Sequence, residues 1–161
     1  MNVVIRRAEP QDVPRMLELV KELALFERAP HEVTVTLEHM RDAGFGSDPV
    51  WVGWVAEVSG VVQGMAVCYE RYSTWKGRRL YLEDIIVTEH ARGQRLGARL
   101  FMECARYAVG KNYQGMLWQV LDWNTDAIRF YDRFGAKYDA AWLNGSLTQE
   151  QLLALSSENL S

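Results

Sequence analysis

Cysteine is scarce in this chain, and the two that occur carry no pattern. Cys68 and Cys104 lie far apart, and neither belongs to a CxxC pair. Two such residues make no disulfide framework in a domain of this size, which points to a reduced, cytoplasmic compartment. Histidine is equally sparse: His31, His39 and His90 show no zinc-ligand spacing with the cysteines, so no metal is expected. No apolar run approaches the ~18 residues of a membrane span. Met1 to Arg7 has no apolar h-region, so no signal peptide is expected. Neither sign of charge dominates. The 18 basic and 21 acidic residues leave a formal charge of −3, so no strong basic field exists to hold nucleic acid. Repeats, low-complexity stretches and Pro/Gly/Ser-rich linkers are missing too, and the chain reads as one domain over residues 1–161.

What is present is apolar periodicity. Apolar residues make up 48% of the sequence, enough for a sizeable core at this length. Val3 to Arg7 reads as a strand. Val13, Met16, Leu17, Val20, Leu23 and Ala24 repeat at the helical period, with Pro14 early, where a missing N–H costs least. Val35 to Ala43 predicts a shorter helix. Val50 to Val58 and Val61 to Tyr69 flank Ser59-Gly60 and predict a hairpin. A polar connection from Arg71 to Arg79 leads to a strand over Leu80 to Val87. Its continuous apolar end, Ile85, Ile86 and Val87, suits a strand buried on both faces. Leu96 to Val109 is helical. Met116 to Leu121 predicts a strand, and Asn124 to Phe134 a helix with Gly135 at its C-terminal cap. Ala136 to Leu143 predicts a last strand. Thr148 to Leu155 predicts a terminal helix, with Gln151 completing a capping box. The order implies an α/β layer domain with helices on both faces of one sheet.

The chemistry concentrates in Leu80 to Gly97, L-Y-L-E-D-I-I-V-T-E-H-A-R-G-Q-R-L-G. A strand feeds a glycine-containing turn, and the turn opens a helix. A helix N-terminus leaves about four N–H groups without partners, and the helix dipole adds positive potential. A pyrophosphate can sit there with little side-chain help. Gly93 and Gly97 allow close approach, and Arg92 and Arg95 add charge. The turn is not a P-loop, since no Gly-Lys-Ser/Thr follows, and it lacks the three-glycine dinucleotide spacing.

Arg92-Gly93-Gln94-Arg95-Leu96-Gly97 resembles the acetyl-CoA pyrophosphate loop of the GNAT superfamily of N-acetyltransferases, Q/R-x-x-G-x-G/A. Arg92 and Gly97 match, while Arg95 stands where the pattern has its first Gly. Trp123 to Tyr131, W-N-T-D-A-I-R-F-Y, resembles the superfamily's asparagine-then-tyrosine segment. Within the superfamily the chain is most similar to the diamine (spermidine/spermine) and thialysine N-acetyltransferases. The matching segments include Lys21-Glu22-Leu23-Ala24 with Phe26-Glu27, Gly44-Phe45-Gly46, Trp75 and Tyr81-Leu82-Glu83-Asp84.

The resemblance implies a GNAT-like fold, a single mixed, mostly antiparallel sheet flanked by helices, and acetyl-CoA as co-substrate without a metal. It implies that the pantetheine arm pairs with Ile85, Ile86 and Val87 like an added strand. The pyrophosphate would lie on Arg92 to Gly97 and Ala98, with Asn124, Asp126 and Ala127 also on the cofactor. Tyr131 would protonate the departing thiolate. The acceptor amine is mostly ammonium at neutral pH, so a base is needed. Glu83 is the first candidate; Asp84, which alternation sends to the other face, is the second. The implied acceptor pocket comprises Phe26, Glu27 and Trp75 with Glu83 and Asp84. Leu117, Trp118, Gln119 and Trp142 complete it. Ser73 and Ala140 stand where polyamine enzymes tend to carry acids, which favours a shorter amine or a lysine-like side chain over spermine. Relatives often form dimers, so a homodimer is expected. Two other readings stay open: a protein lysine or N-terminal acetyltransferase, and a non-catalytic acetyl-CoA-binding module. The presence of both Tyr131 and Glu83 argues against the second of these.

Overall fold

The computed structural model describes residues 1–158. These form two compact units, one from Met1 to Leu121 and the other from Asp122 onward.

The first unit is built on one five-stranded sheet in the order β1-β2-β3-β4-β5. The strands are β1 (Val3–Arg7), β2 (Val52–Val58), β3 (Val61–Ser73), β4 (Gly77–Val87) and β5 (Met116–Trp118). The first four pair antiparallel, and β5 joins β4 in parallel. Mixed pairing follows from the connections. Short turns join β2 to β3 and β3 to β4, whereas α3 (Leu96–Gly110) separates β4 from β5, as a parallel crossover requires. Ser59 and Gly60 both take positive φ, +50° and +85°, the geometry that lets a two-residue turn follow the strand twist.

Helices cover both faces. On one, Met16, Leu17 and Leu19 of α1 (Val13–Phe26) pack with Val55, Met65, Val67 and Ile86, and Met40 of α2 (Leu37–Phe45) closes the cluster. On the other, the alternate residues meet α3. Cys68 Sγ lies 3.6 Å from Cys104 Sγ, and the Trp54 ring stands edge-on to Tyr107 at 5.2 Å. A period of two along β3 thus divides the side chains between two helix layers.

The second unit holds α4 (Thr125–Asp132) and α5 (Gln149–Ser156). Asn124 caps α4 by accepting from Ala127 N–H at 3.2 Å, and Gly135 follows at φ +79°. Thr148 and Gln151 form the expected capping box of α5.

Two expectations need correction. The polar connection from Arg71 to Arg79 is largely strand: Arg71 pairs Arg79, Tyr72 pairs Arg78 and Ser73 pairs Gly77. Its charged side chains hid a two-stranded ribbon that needs no apolar face, because it is exposed. The strand expected over Ala136 to Leu143 does not form. Its aromatic and apolar residues suit a strand, but a strand needs a neighbouring edge, and among the described residues its own unit contains none.

Candidate active site

Three structural facts bring the sequence candidates of the first unit together. The first concerns the partner of β4. Its parallel pairing with β5 covers only Leu80↔Met116, Tyr81↔Leu117 and Leu82↔Trp118, while β4 runs on to Val87. Among the described residues, no strand pairs with that edge of β4 beyond Leu82. The outward-facing backbone groups of Glu83 to Ile86 therefore have no strand partner on that edge, the opening that an extended, pantetheine-like ligand would use.

The second fact is a bulge at the same place. Across the β3–β4 ladder, Val67 pairs Asp84 and Cys68 pairs Leu82, so Glu83 is the extra residue. A bulge breaks the strict alternation of side chains and re-aims them. Leu82 is buried, Glu83 exposed and Asp84 half-buried. Burial pushes the Asp84 carboxyl up to about 7, with Glu83 and then Glu27 adding like charge. Burial also raises Glu27 above the usual carboxylate range. Three carboxyl groups from two elements thus share one electrostatic site. Such a site attracts a cation, and a carboxyl near 7 is suited to exchange a proton at neutral pH.

Two tyrosines and an arginine missing from the sequence-derived candidate list complete this cluster. Burial, and then the negative charge of Glu83, push the Tyr69 hydroxyl up to about 12. The Tyr69 and Tyr81 rings lie 5.0 Å apart, and the Arg71 guanidinium sits 5.6 Å from the Tyr81 ring centre. Tyr69 pairs Tyr81 across the ladder, so the hairpin register was the signal that could have found it. The bulge displaces that register by one residue, which single-strand patterning does not reveal.

The third fact is the loop. After β4 a 3₁₀ turn (Glu89–Ala91) leads through Arg92 to Arg95 into α3. Gly93 takes φ +82°, and a Cβ there would meet no atom within 4 Å. Arg95 occupies the N-cap of α3 at φ +60°, with no side-chain cap on the first-turn N–H groups. The left-handed conformation explains why the superfamily pattern writes glycine at this position; this chain adopts it with an arginine. The N–H groups of Leu96, Gly97 and Ala98 are thus left to an anion by the helix that carries them. Arg92 Nε donates to Val87 O at 3.0 Å, and its guanidinium lies 5.9 Å from the Phe26 ring centre. These features fit the pyrophosphate of acetyl-CoA.

The other candidates are placed as follows. Leu117 and Trp118 are half-buried in β5, with Trp118 edge-on to Phe101 at 5.5 Å, and Gln119 is exposed just beyond. Trp75 is 84% exposed at the tip of the β3–β4 ribbon, its backbone N–H bonded to Ser73 Oγ. In the second unit, Tyr131 is buried on α4 with its ring 5.2 Å from Phe130. Asn124 spends its side-chain oxygen on the α4 cap. Asp126 pairs with Arg129 at 3.7 Å, and Ala127 is half-buried. Trp142 is 72% exposed and donates to Asp139 Oδ2 at 2.8 Å. Among the described residues no group of three or more His, Cys, Asp or Glu side chains could hold a metal ion. No helix among them is long and apolar enough to cross a membrane.

Comparison with known proteins agrees with this geometry. The sequence pattern of the Acetyltransferase (GNAT) family matches residues 13–136. The thialysine N-epsilon-acetyltransferase of Bos taurus is 37% identical over 143 residues, covering 84% of each chain. The spermidine/spermine N(1)-acetyltransferase-like protein 1 of Homo sapiens is 31% identical, covering 96% of this chain and 24% of that one. Among solved structures, an aminoglycoside N-acetyltransferase in complex with CoA superposes with a TM-score of 0.74 at 16% identity, over 91% of this chain and 95% of that one. The uncapped glycine loop, the parted strands and these relatives together show that the chain belongs to the acetyltransferase (GNAT) family, whose members use acetyl-CoA.

Proposed function

We propose that this enzyme transfers the acetyl group of acetyl-CoA directly to a primary amine of a small molecule. The class is a diamine or a lysine-like amino acid rather than a long polyamine. The observation that carries the reading is the gathering of Glu27, Glu83 and Asp84 where β4 loses its β5 partner. The relatives named for thialysine and for spermidine/spermine support an amine acceptor. Three carboxylates suit one ammonium plus a second charged group, and Ser73 and Ala140 add no further acid.

In this reading the ammonium binds against Glu83 and Glu27, and Asp84 takes its proton, directly or through water. Asp84, the second candidate by sequence after Glu83, is preferred as the base because burial and neighbouring carboxylates raise it to about 7. Trp118 and Leu117 of β5, with Gln119 and Phe26, line the acceptor side, and Trp75 packs on the alkyl stem; Trp142 is the second unit's candidate for the acceptor. Backbone N–H groups of Ile85, Ile86 and Val87 hold the thioester and stabilise the charge developing on its oxygen. Tyr131 supplies the proton for the departing thiolate, and Asn124, Asp126 and Ala127 contact the pantetheine arm. The pyrophosphate lies on Arg92, Gly93, Gln94, Arg95 and the first turn of α3.

The whole chain, 1–161, acts as one acetyltransferase domain, since the family pattern runs through the boundary between the two units. It is a homodimer: Trp142, Leu143, Leu147, Leu152 and Leu153 are all exposed, and α5 has no buried residue. It is cytoplasmic, in keeping with two buried free thiols.

The test is thiol release from acetyl-CoA over diamines, polyamines, lysine analogues, aminoglycosides and short peptides, with Tyr131→Phe alongside. Turnover on one small amine, reduced about a hundredfold or more in Tyr131→Phe, is the expected result. Turnover confined to peptides moves the assignment to a protein acetyltransferase. Tight CoA binding without turnover on any acceptor leaves a binding module.

A further inference from the structure

The turn between β4 and the glycine loop is not held by its own residues. Thr88 is the N-cap of the 3₁₀ turn, yet its side chain makes no cap bond. The Thr88 hydroxyl, on a residue only 6% exposed, instead donates to both carboxylate oxygens of Glu22, at 3.1 and 2.9 Å. Glu89 N–H, the next donor along, also bonds Glu22 Oε1, at 3.1 Å. A carboxylate on α1 thus does the capping that Thr88 would otherwise do. Charge-assisted bonds of this kind are about twice as strong as neutral ones.

The same helix grips the loop a second time, one turn on. Phe26, four residues after Glu22 and so on the same face of α1, lies under the Arg92 guanidinium. Arg92 in turn bonds back to Val87 O, and Thr88 N–H bonds Gln63 O at 2.8 Å on β3. Residues 87–92 are therefore clamped from the sheet and from α1. In the next residues, Gly93 and Arg95 take left-handed conformations at the entry to α3.

We propose that Glu22 is a positioning residue for acetyl-CoA: by holding Thr88 and Glu89 it sets where the N–H groups of the Gly93 to Ala98 segment stand to receive the pyrophosphate. Glu22 touches neither the thioester nor the amine in this scheme. It acts on the donor alone, through the loop. The proposal rests on the reading of that loop as the pyrophosphate site.

The experiment measures CoA binding by calorimetry and steady-state kinetics with both substrates varied, for wild type, Glu22→Gln, Glu22→Ala and Thr88→Val. The expected result for Glu22→Ala is a Kd for CoA and a KM for acetyl-CoA raised about tenfold, with saturated kcat and the KM for the amine little changed. Glu22→Gln keeps one acceptor oxygen and recovers part of the loss. Thr88→Val removes only the hydroxyl and weakens CoA by a smaller factor, which keeps the test open should Glu22→Ala fold poorly. A CoA affinity unchanged in Glu22→Gln and Thr88→Val overturns the proposal, as does an equal fall in every kinetic parameter that tracks lost thermal stability. Failure of wild type itself to bind CoA is a different result and removes the loop reading first.

Discussion

Replacing Asp84 by Asn should make the protein more stable while making it a poorer enzyme, and the gain should depend on pH. The carboxyl moves from an ordinary 3.8 to about 7 because burial, then Glu83, then Glu27, disfavour its charge. A raised carboxyl binds its proton more tightly in the folded state than in the unfolded chain. Stability is therefore lost as pH climbs from the unfolded value to the folded one, and is flat beyond it. At 1.36 kcal/mol per pH unit, the full loss amounts to about 4 kcal/mol above pH ~7, and about 1 kcal/mol at pH ~4.5. Asn has nearly the same shape and no charge, so it escapes this cost. Urea unfolding of wild type and Asp84→Asn should show the variant ahead by several kcal/mol at pH ~8 and by about 1 at pH ~4.5. Acetyl transfer by the variant should fall, and the acid limb near neutrality in the wild-type rate profile should vanish. A stability difference that is the same at both pH values would refute the reasoning. It would mean that Asp84 is ionised in the folded protein throughout, and the proton-accepting role would fall with it.

Two other experiments probe the loop and the core. Arg95 sits at φ +60° at the N-cap of α3, a conformation that costs an L-residue roughly 1–2 kcal/mol and glycine almost nothing. Arg95→Gly regains that, offset by the freer unfolded chain, and should raise Tm by about 2 °C. Arg95→Ala keeps the strain and should show no gain in differential scanning fluorimetry; equal shifts for the two variants would count against backbone strain. Cys68 and Cys104 are both fully buried, and the hydrogen bond to Cys104 together with burial pushes the Cys68 thiol far above its usual range. A thiol-disulfide reagent should therefore modify the native protein only as fast as it opens, and at once in denaturant. Rapid native labelling would show that the β3–α3 layer breathes.

Much of the first unit was legible because its elements bury regular stripes. The helical repeat of Val13 to Ala24 appears as α1, and the Ser59-Gly60 hairpin forms with the positive φ values its turn type demands. The glycine loop was legible as well, though its central residue was not. Arg95 departs from the pattern by side chain and keeps to it by backbone, and only the dihedral angle reveals this. The missing last strand has the opposite cause. Tyr138, Trp142 and Leu143 carry strand-forming side chains, but pairing is a property of two segments, and composition reports on one. The long ribbon of Arg71 and Arg79 was hidden for a related reason: it is strand by hydrogen bonding alone, with no apolar face to betray its period.

The bulge at Glu83 is the feature least visible in sequence and the one on which the site depends most. One extra residue in β4 leaves an unpaired position on the β3 side at the point where pairing to β5 ends on the other. Bulges bend a strand and increase its local twist. Here the bulge comes one residue after Leu82, the last residue paired with β5, and β4 runs on to Val87 with no strand beside that edge among the described residues. At the same place Glu83 is exposed and Asp84 half-buried, with like charge acting between them. Under the proposed function, the free strand edge that would take the acetyl donor and the carboxyl groups that would take the amine lie at this one irregularity. In the proposed reading the donor's extended arm and the acceptor's ammonium must meet, which acids set directly beside the apolar run Ile85, Ile86 and Val87 would allow.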